Sequence, residues 1–176
     1  MKTLLAVILI SLPALAADPT PSVAAVRTAC GSDNVKFSVK SIEGQPSAPQ
    51  PEPGKALVYV VEQYDRPRNE LGKPTVRVGV DGSWVGANRS TSHLFFSVEP
   101  GEHHLCSDWQ SLPPTIARLN PSLAIFAAEP GRTYYFRARV VEVSLSLWTL
   151  DLERVNDDEG RMLVERSPLS DYQRKK

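Results

Sequence analysis

The chain predicts an all-β protein: an antiparallel β-sandwich, immunoglobulin-like or transthyretin-like, with seven to eight short strands. Three observations carry this. Glu-Pro-Gly followed by a charged residue occurs three times, at Glu52-Pro53-Gly54-Lys55, Glu99-Pro100-Gly101-Glu102 and Glu129-Pro130-Gly131-Arg132. Pro presets φ at the second turn position and Gly accepts the positive φ of the third, so each phrase reads as a turn that starts a strand. Asp81-Gly82 sits between two valine-bearing stretches, the short-range signature of a hairpin. Fifteen prolines against ten glycines suit a loop-rich β chain better than a helical one.

The elements follow in order. Lys2, the apolar stretch Leu4 to Leu12, Pro13 and Ala14-Leu15-Ala16 make residues 1–16 a secretory signal peptide, with cleavage expected after Ala16. The apolar stretch is shorter than the ~20 residues a membrane helix needs. Nothing later is apolar enough to cross a membrane, so no transmembrane segment is expected in the mature chain. No Cys follows the cleavage region, which argues against a lipid-anchored N-terminus. The expected compartment is periplasmic or secreted.

Residues 17–53 read as an N-terminal β arm and a Pro-rich linker. Ala17 to Ala29 is expected to be mobile. Val35-Lys36-Phe37-Ser38-Val39-Lys40 alternates apolar and polar residues, as a half-buried strand does. Gln45 to Pro53 carries four prolines, at 46, 49, 51 and 53, and suits an extended linker.

Residues 54–166 form the predicted sandwich domain. Ala56 to Val61 is apolar on both faces and reads as a central strand. Gln63 to Lys73 is a loop. Thr75 to Val80 and Ser83 to Gly86 flank the hairpin turn. Ser92 to Val98 ends at the second Glu-Pro-Gly, and His103 to Cys106 begins the next strand. A short helix or irregular loop is expected near 110–120, with Pro113-Pro114 opening a turn over Thr115 to Leu119. Leu123 to Ala128, Thr133 to Val141 and Leu145 to Leu152 read as strands. Asn156 to Gly160 is an acidic loop, and Arg161 to Glu165 a last strand or the start of a short helix. Residues 167–176 are expected to be a flexible tail.

Several function classes are disfavoured. The full chain carries 20 basic and 20 acidic residues, and losing Lys2 with the leader leaves it one charge negative. That supplies no bulk attraction to nucleic acid or anionic lipid. The two cysteines, Cys30 and Cys106, are expected to form one disulfide in an exported chain. The competing reading is a metal pair or free thiol with His104, but two neighbouring ligands are too few for zinc without His93 or a carboxylate. No Gly-x-Ser-x-Gly elbow or Cys-His phrase marks a nucleophile. No catalytic residue, metal or cofactor is expected.

The aromatics remain. Trp84 follows the hairpin turn, Trp109 lies after Cys106, and Tyr135 shares a strand face with Arg137 and Arg139. Exposed together, these five residues would make a surface that stacks on a glycan or anchors a protein. The alternative is that they fill the core or pack beside the disulfide.

In order, residues 53–60, 78–86, 98–103 and 130–135 read Pro-Gly-Lys-Ala-Leu-Val-Tyr-Val, Val-x-Val-Asp-Gly-x-x-Val-Gly, Val-x-Pro-Gly-Glu-His and Pro-Gly-x-x-Tyr-Tyr. This ordered set resembles the DUF2846 family of exported bacterial β domains, over roughly Gly54 to Leu152. The resemblance implies a β-sandwich of the kind that decorates envelope proteins and transfers no catalytic residues. Many members resemble lipoproteins at the N-terminus, where this chain departs. The expected function is a non-enzymatic binding module for a protein or glycan of the cell envelope. One rival is an assembly subunit that exchanges its N-terminal arm with a neighbour. The other is a small hydrolase or metal-dependent enzyme using His103 and His104.

Overall fold

The computed structural model describes residues 23–43, 49–64, 73–112, 117–118, 121–144 and 146–176. The expected signal peptide, 1–16, lies outside these residues, as do the middle of the Pro-rich linker and most of the loop after Gln63.

Among the described residues the chain is mostly β, in two sheets. The strands are β1 (Phe37–Ile42), β2 (Ala56–Tyr64), β3 (Thr75–Val80), β4 (Ser83–Arg89), β5 (Ser92–Val98), β6 (Gly101–Ser111), β7 (Ala117–Arg118), β8 (Ser122–Ala128), β9 (Thr133–Ser144), β10 (Leu147–Val155) and β11 (Leu169–Arg174). Two helices accompany them, α1 (Val23–Ala29) and α2 (Asp157–Glu165). The larger sheet runs β1-β11-β5-β2-β9-β10-β7, the smaller β4-β3-β6-β8. One apolar cluster joins them: Val58, Val60, Leu94, Phe136 and Leu152 from the larger sheet meet Val78, Leu105 and Phe126 from the smaller.

The turn grammar is realised as expected. Gly54, Gly101 and Gly131 all have positive φ, and so do both Asp81 and Gly82 in the β3–β4 hairpin. The first and third Glu-Pro-Gly turns lie side by side, with Gly131 N–H donating to Lys55 O at 2.8 Å and Leu57 N–H to Arg132 O at 2.9 Å. They therefore launch two neighbouring strands in the same direction.

That arrangement corrects the antiparallel expectation. β2 pairs with β9 in parallel, as do β5 with β11 and β7 with β10. The physical reason is visible in β2. Its two apolar faces are both covered, one by the shared core and the other by α2, and parallel strands need cover on both sides. The strand number is also corrected, to eleven among the described residues. The nine segments read as strands are all present, and two unexpected ones, β7 and β11, bring the number to eleven. Ala117 and Arg118, inside the segment expected as a short helix or irregular loop, instead pair with Leu147 and Trp148. The remainder of that segment, 113–116 and 119–120, lies outside the described residues.

Both ends differ from expectation. Val23 to Ala29, read as mobile, forms α1, whose last residues pack at the disulfide. The expected tail holds β11, which pairs with all six residues of β1 and inserts it into the larger sheet. So the N-terminal arm belongs to its own chain's sheet. Phe37 and Val39 turn inward with Tyr172, where the tail supplies the ring that the arm needs.

The acidic stretch after Val155 is the first turn of α2 rather than a loop. Asn156 Oδ1 accepts from Glu159 N–H at 3.0 Å, and Asp157, Asp158 and Glu159 face the positive helix start. α2 lies on the outer face of the larger sheet, with Leu163 and Val164 over Leu57, Tyr59, Tyr135 and Val155. The approach is close because residue 160 has no side chain: a Cβ there would stand 2.1 Å from Tyr135 Cγ.

Candidate functional site

The five residues expected to share a surface are separated. Trp109 is 1% exposed and packs with Trp148, Val76 and Val140 between the sheets. Its parity on β6, shared with Leu105 and Ser107, directs it inward, and leaving an indole in water would forfeit a few kcal/mol of burial. Tyr135, 9% exposed, stacks on Tyr59 with ring centroids 5.3 Å apart and is covered by α2. Arg137 does share Tyr135's face, but it is bound there to carboxylates. Its Nε donates to Glu153 Oε1 at 2.8 Å and its Nη1 to Glu159 Oε1 at 2.7 Å, which ties α2 to β9 and β10. Arg139 pairs with Asp151 at 3.0 Å across the same two strands.

Trp84 is half-buried and serves the N-terminal segment. Its Nε1–H donates to Ser32 O at 2.8 Å, and the Arg77 guanidinium lies 4.2 Å above its ring. Cys30 and Cys106 are joined in a disulfide, with Cα atoms 5.3 Å apart, and Trp84 packs beside it. These residues thus build a clamp: disulfide, indole and guanidinium fasten residues 29–35 to the outer face of the smaller sheet.

Arg77 is the residue sequence reasoning missed here. Thr75 to Val80 alternates and puts Arg77 on the face opposite Val76, Val78 and Val80, yet Arg77 is 4% exposed. Its Nη1 donates to Val35 O at 3.1 Å and Asp33 O at 3.3 Å, and its Nη2 bonds Asp108 Oδ2 at 2.5 Å. The face is polar in pattern because an extended segment, not water, covers it. Asp108 is committed to Arg77.

The histidines take three different roles. His93 is buried, with Nδ1 2.9 Å from Ser167 Oγ and 3.0 Å from Ser167 O. Burial lowers its pKa, opposed by the Ser167 carbonyl. His103 and His104 are adjacent on β6 and so face opposite sides of it. His104 approaches Glu102 at 3.8 Å. His103 has Nδ1 2.6 Å from Asp81 Oδ2 and Nε2 2.7 Å from Glu99 O. Both acceptors lack protons to give, so both contacts are hydrogen bonds when the ring is protonated, and the site favours the imidazolium. Burial works against that charge, but Asp81 and the Glu99 carbonyl outweigh it and raise the His103 pKa. Asp81 Oδ1 also accepts from His104 N–H at 2.9 Å. The cluster locks the β3–β4 turn to the β5–β6 turn. Lys55 adds a third turn by pairing with Glu52 at 3.1 Å and Glu99 at 3.3 Å. Among the described residues no group of three or more His, Cys, Asp and Glu is placed to hold a metal ion, and no helix is long and apolar enough to cross a membrane.

A polar cluster lies inside the fold. The Ser170 hydroxyl is 2.7 Å from Asn88 Oδ1 and 2.8 Å from Ser92 Oγ, and Asn88 Nδ2 donates to Val60 O at 2.9 Å. Glu62, directly opposite Ser92, is fully buried, and among the described residues neither carboxyl oxygen accepts a well-formed hydrogen bond, the Ser90 amide being only a weak contact. Burial pushes its pKa well above the ordinary carboxylate range, opposed only in part by the Ser90 amide. The signal was present in the sequence: Glu62 has the parity of Ala56, Val58 and Val60.

Comparison with family models, with curated proteins and with solved structures found no match.

Proposed function

We propose that this is an exported, non-enzymatic β-sandwich module of the bacterial envelope that works by binding a protein. One observation carries the reading: the groups that might have done chemistry are used as scaffold. Cys30 and Cys106 are bonded to each other, His103 is held by two acceptors, and Arg137 is held by two carboxylates. A protein partner is favoured over a glycan because Trp84, Trp109 and Tyr135 lie in separate clusters, so no stacking platform forms from them. The disulfide supports an oxidising compartment. The two sheets sharing one core support the sandwich architecture, and the ordered turn phrases support kinship with DUF2846.

The test is retention. Immobilised mature protein is challenged with envelope extract and with a panel of envelope glycans, under oxidising conditions. A protein retained in competition with free module supports the reading. Saturable glycan binding without any protein retained, or turnover of a hydrolase substrate panel abolished by His103→Ala, overturns it.

A further inference from the structure

The β1–β11 ribbon carries charge that the fold does not neutralise. In β1, Phe37 and Val39 are buried while Ser38, Lys40 and Ile42 are exposed, and Lys36 continues the exposed face. Across the ladder, Ser38, Lys40 and Ile42 meet Gln173, Asp171 and Leu169. Beyond the Phe37–Arg174 pair, Lys175 N–H donates to Lys36 O at 2.8 Å, which sets the two lysines directly opposite each other. Like charges placed so destabilise a strand pair. One lysine is enough to guard an edge, and the second adds repulsion. Arg174 and Lys176 extend the cluster, so four exposed cations gather at one end of the ribbon. Among the described residues none of the four makes an ion pair, whereas Lys55, Arg77, Arg137, Arg139 and Arg161 each have a carboxylate. At the other end Ile42 is 44% exposed, opposite half-buried Leu169. The chain as a whole balances 20 basic against 20 acidic residues, so the cluster is a local excess.

We propose that this ribbon is a docking surface for an anionic lipid bilayer. Lys36, Arg174, Lys175 and Lys176 meet headgroup phosphates, and Ile42 enters the boundary between headgroups and acyl chains. Two observations select a bilayer over an acidic protein. Among the described residues no hydrogen bond or ion pair fixes the four side chains, so they present no set geometry for a rigid partner to read. Mobile headgroups gather around whatever arrangement the cations take. The charge and the exposed apolar side chain also lie at the two ends of one extended ribbon, which a planar surface touches together. A phosphate between Lys36 and Lys175 removes the repulsion that the free ribbon carries, so binding gains where folding loses. Four cations stand at the low end of the number that holds a segment to an anionic surface, so the attachment is weak and sensitive to salt. It goes beyond the protein-binding reading and does not depend on it.

Co-sedimentation of the mature, oxidised protein with vesicles tests the proposal, using phosphatidylglycerol mixed with phosphatidylcholine and, separately, phosphatidylcholine alone. Binding is expected on the mixed vesicles only, and it should vanish as salt rises from about 0.05 M to about 0.5 M. Lys36→Gln and Lys175→Gln should each weaken binding about fivefold, and together about 25-fold. Neither should lower the melting temperature, since each removes one side of the lysine pair. Arg132→Gln, at an exposed cation elsewhere, should change binding by less than about twofold. No uptake on mixed vesicles at low salt overturns the proposal, as does equal uptake on phosphatidylcholine. So does a loss in Arg132→Gln that matches Lys36→Gln. Capture on immobilised polyglutamate without uptake on vesicles overturns it in favour of an acidic protein.

Discussion

Replacing Gly160 with Ala reverses the usual sign of a helix substitution. In an exposed helix interior the change stabilises by about 1 kcal/mol, because Gly has more backbone freedom to lose. Here the new Cβ would lie 2.1 Å from Tyr135 Cγ and 2.4 Å from Tyr135 Cβ. Carbon atoms rest about 3.5–4.0 Å apart, so more than about 1 Å of separation must be found. The obstructing atoms are the base of the tyrosine, which is held by Tyr59 beneath it, and so cannot swing away as a side-chain tip would. α2 must lift instead, loosening Leu163 and Val164 from the sheet and straining the Arg137 pair with Glu159. Overpacking of this kind costs about 3 kcal/mol at the upper end of its range. After the propensity gain, a net loss of about 2 kcal/mol remains, or about 4–8 °C in melting temperature for a chain of this size. Circular dichroism melts and urea titrations read it directly. In a Tyr135→Ala background the same substitution should become stabilising, since the methyl then has room. A Gly160→Ala protein as stable as the parent would refute the reasoning.

Asp81→Asn should lower the His103 pKa in NMR titrations, since Asn keeps the turn and the acceptor for His104 N–H but removes the charge. The His103 contribution to stability is complete below its unfolded pKa of about 6.5 and is lost as pH rises through the raised folded value, whereas that of Asp81 is complete above about 3.9 and is lost as pH falls through its lowered one. The pair therefore helps most between about pH 4 and pH 6.5, and a stability profile unaltered by Asp81→Asn across that window contradicts the cluster. Glu62 also loses stability on the alkaline side, because its folded pKa is raised: protonated it costs little, and ionised it is a buried unpaired charge. Glu62→Gln should flatten the decline in stability that begins as pH rises past the unfolded carboxyl value of about 4.3, and an unchanged dependence of stability on pH in urea titrations from about pH 4.5 upward would count against a protonated interior carboxyl. Cys30→Ser with Cys106→Ser should cost up to about 4–5 kcal/mol by loss of a long closed loop, with intact-mass spectra before and after reductant confirming the bond in the parent.

Much of the fold was legible because turns and parity are local. Asp81-Gly82 and the three Glu-Pro-Gly phrases specify backbone φ by residue type alone, and the alternation at Val35, Phe37 and Val39 specifies a buried face whatever it is buried against. Strand neighbours were not legible in the same way. Nothing between Ala56 and Tyr64 says that Thr133 to Val140 runs beside it in the same direction, since that pairing is decided by what covers both faces. The same limit explains the surface residues. Trp109 and Tyr135 could be read as surface or as core, because a sheet face not needed for the core usually meets water. In this chain Trp109 lies between the sheets, α2 covers Tyr135, and the disulfide-tied segment covers Arg77. β11 was read as tail because it is polar at Asp171, Gln173 and Arg174, residues that suit a strand whose own outer face is wet.

The pairing of β1 with β11 has a consequence for biogenesis. As the polypeptide emerges in order, its earliest ribbon must wait for its latest before either gains a ladder partner, and the Lys175 amide then latches onto the Lys36 carbonyl at 2.8 Å. Closure across so wide a stretch of chain is slow by its topology. The nascent chain thus stays unlatched until Leu169–Arg174 has been made. A ribosome-stalled or truncated product ending before Leu169 would keep its first strand unclaimed and exposed.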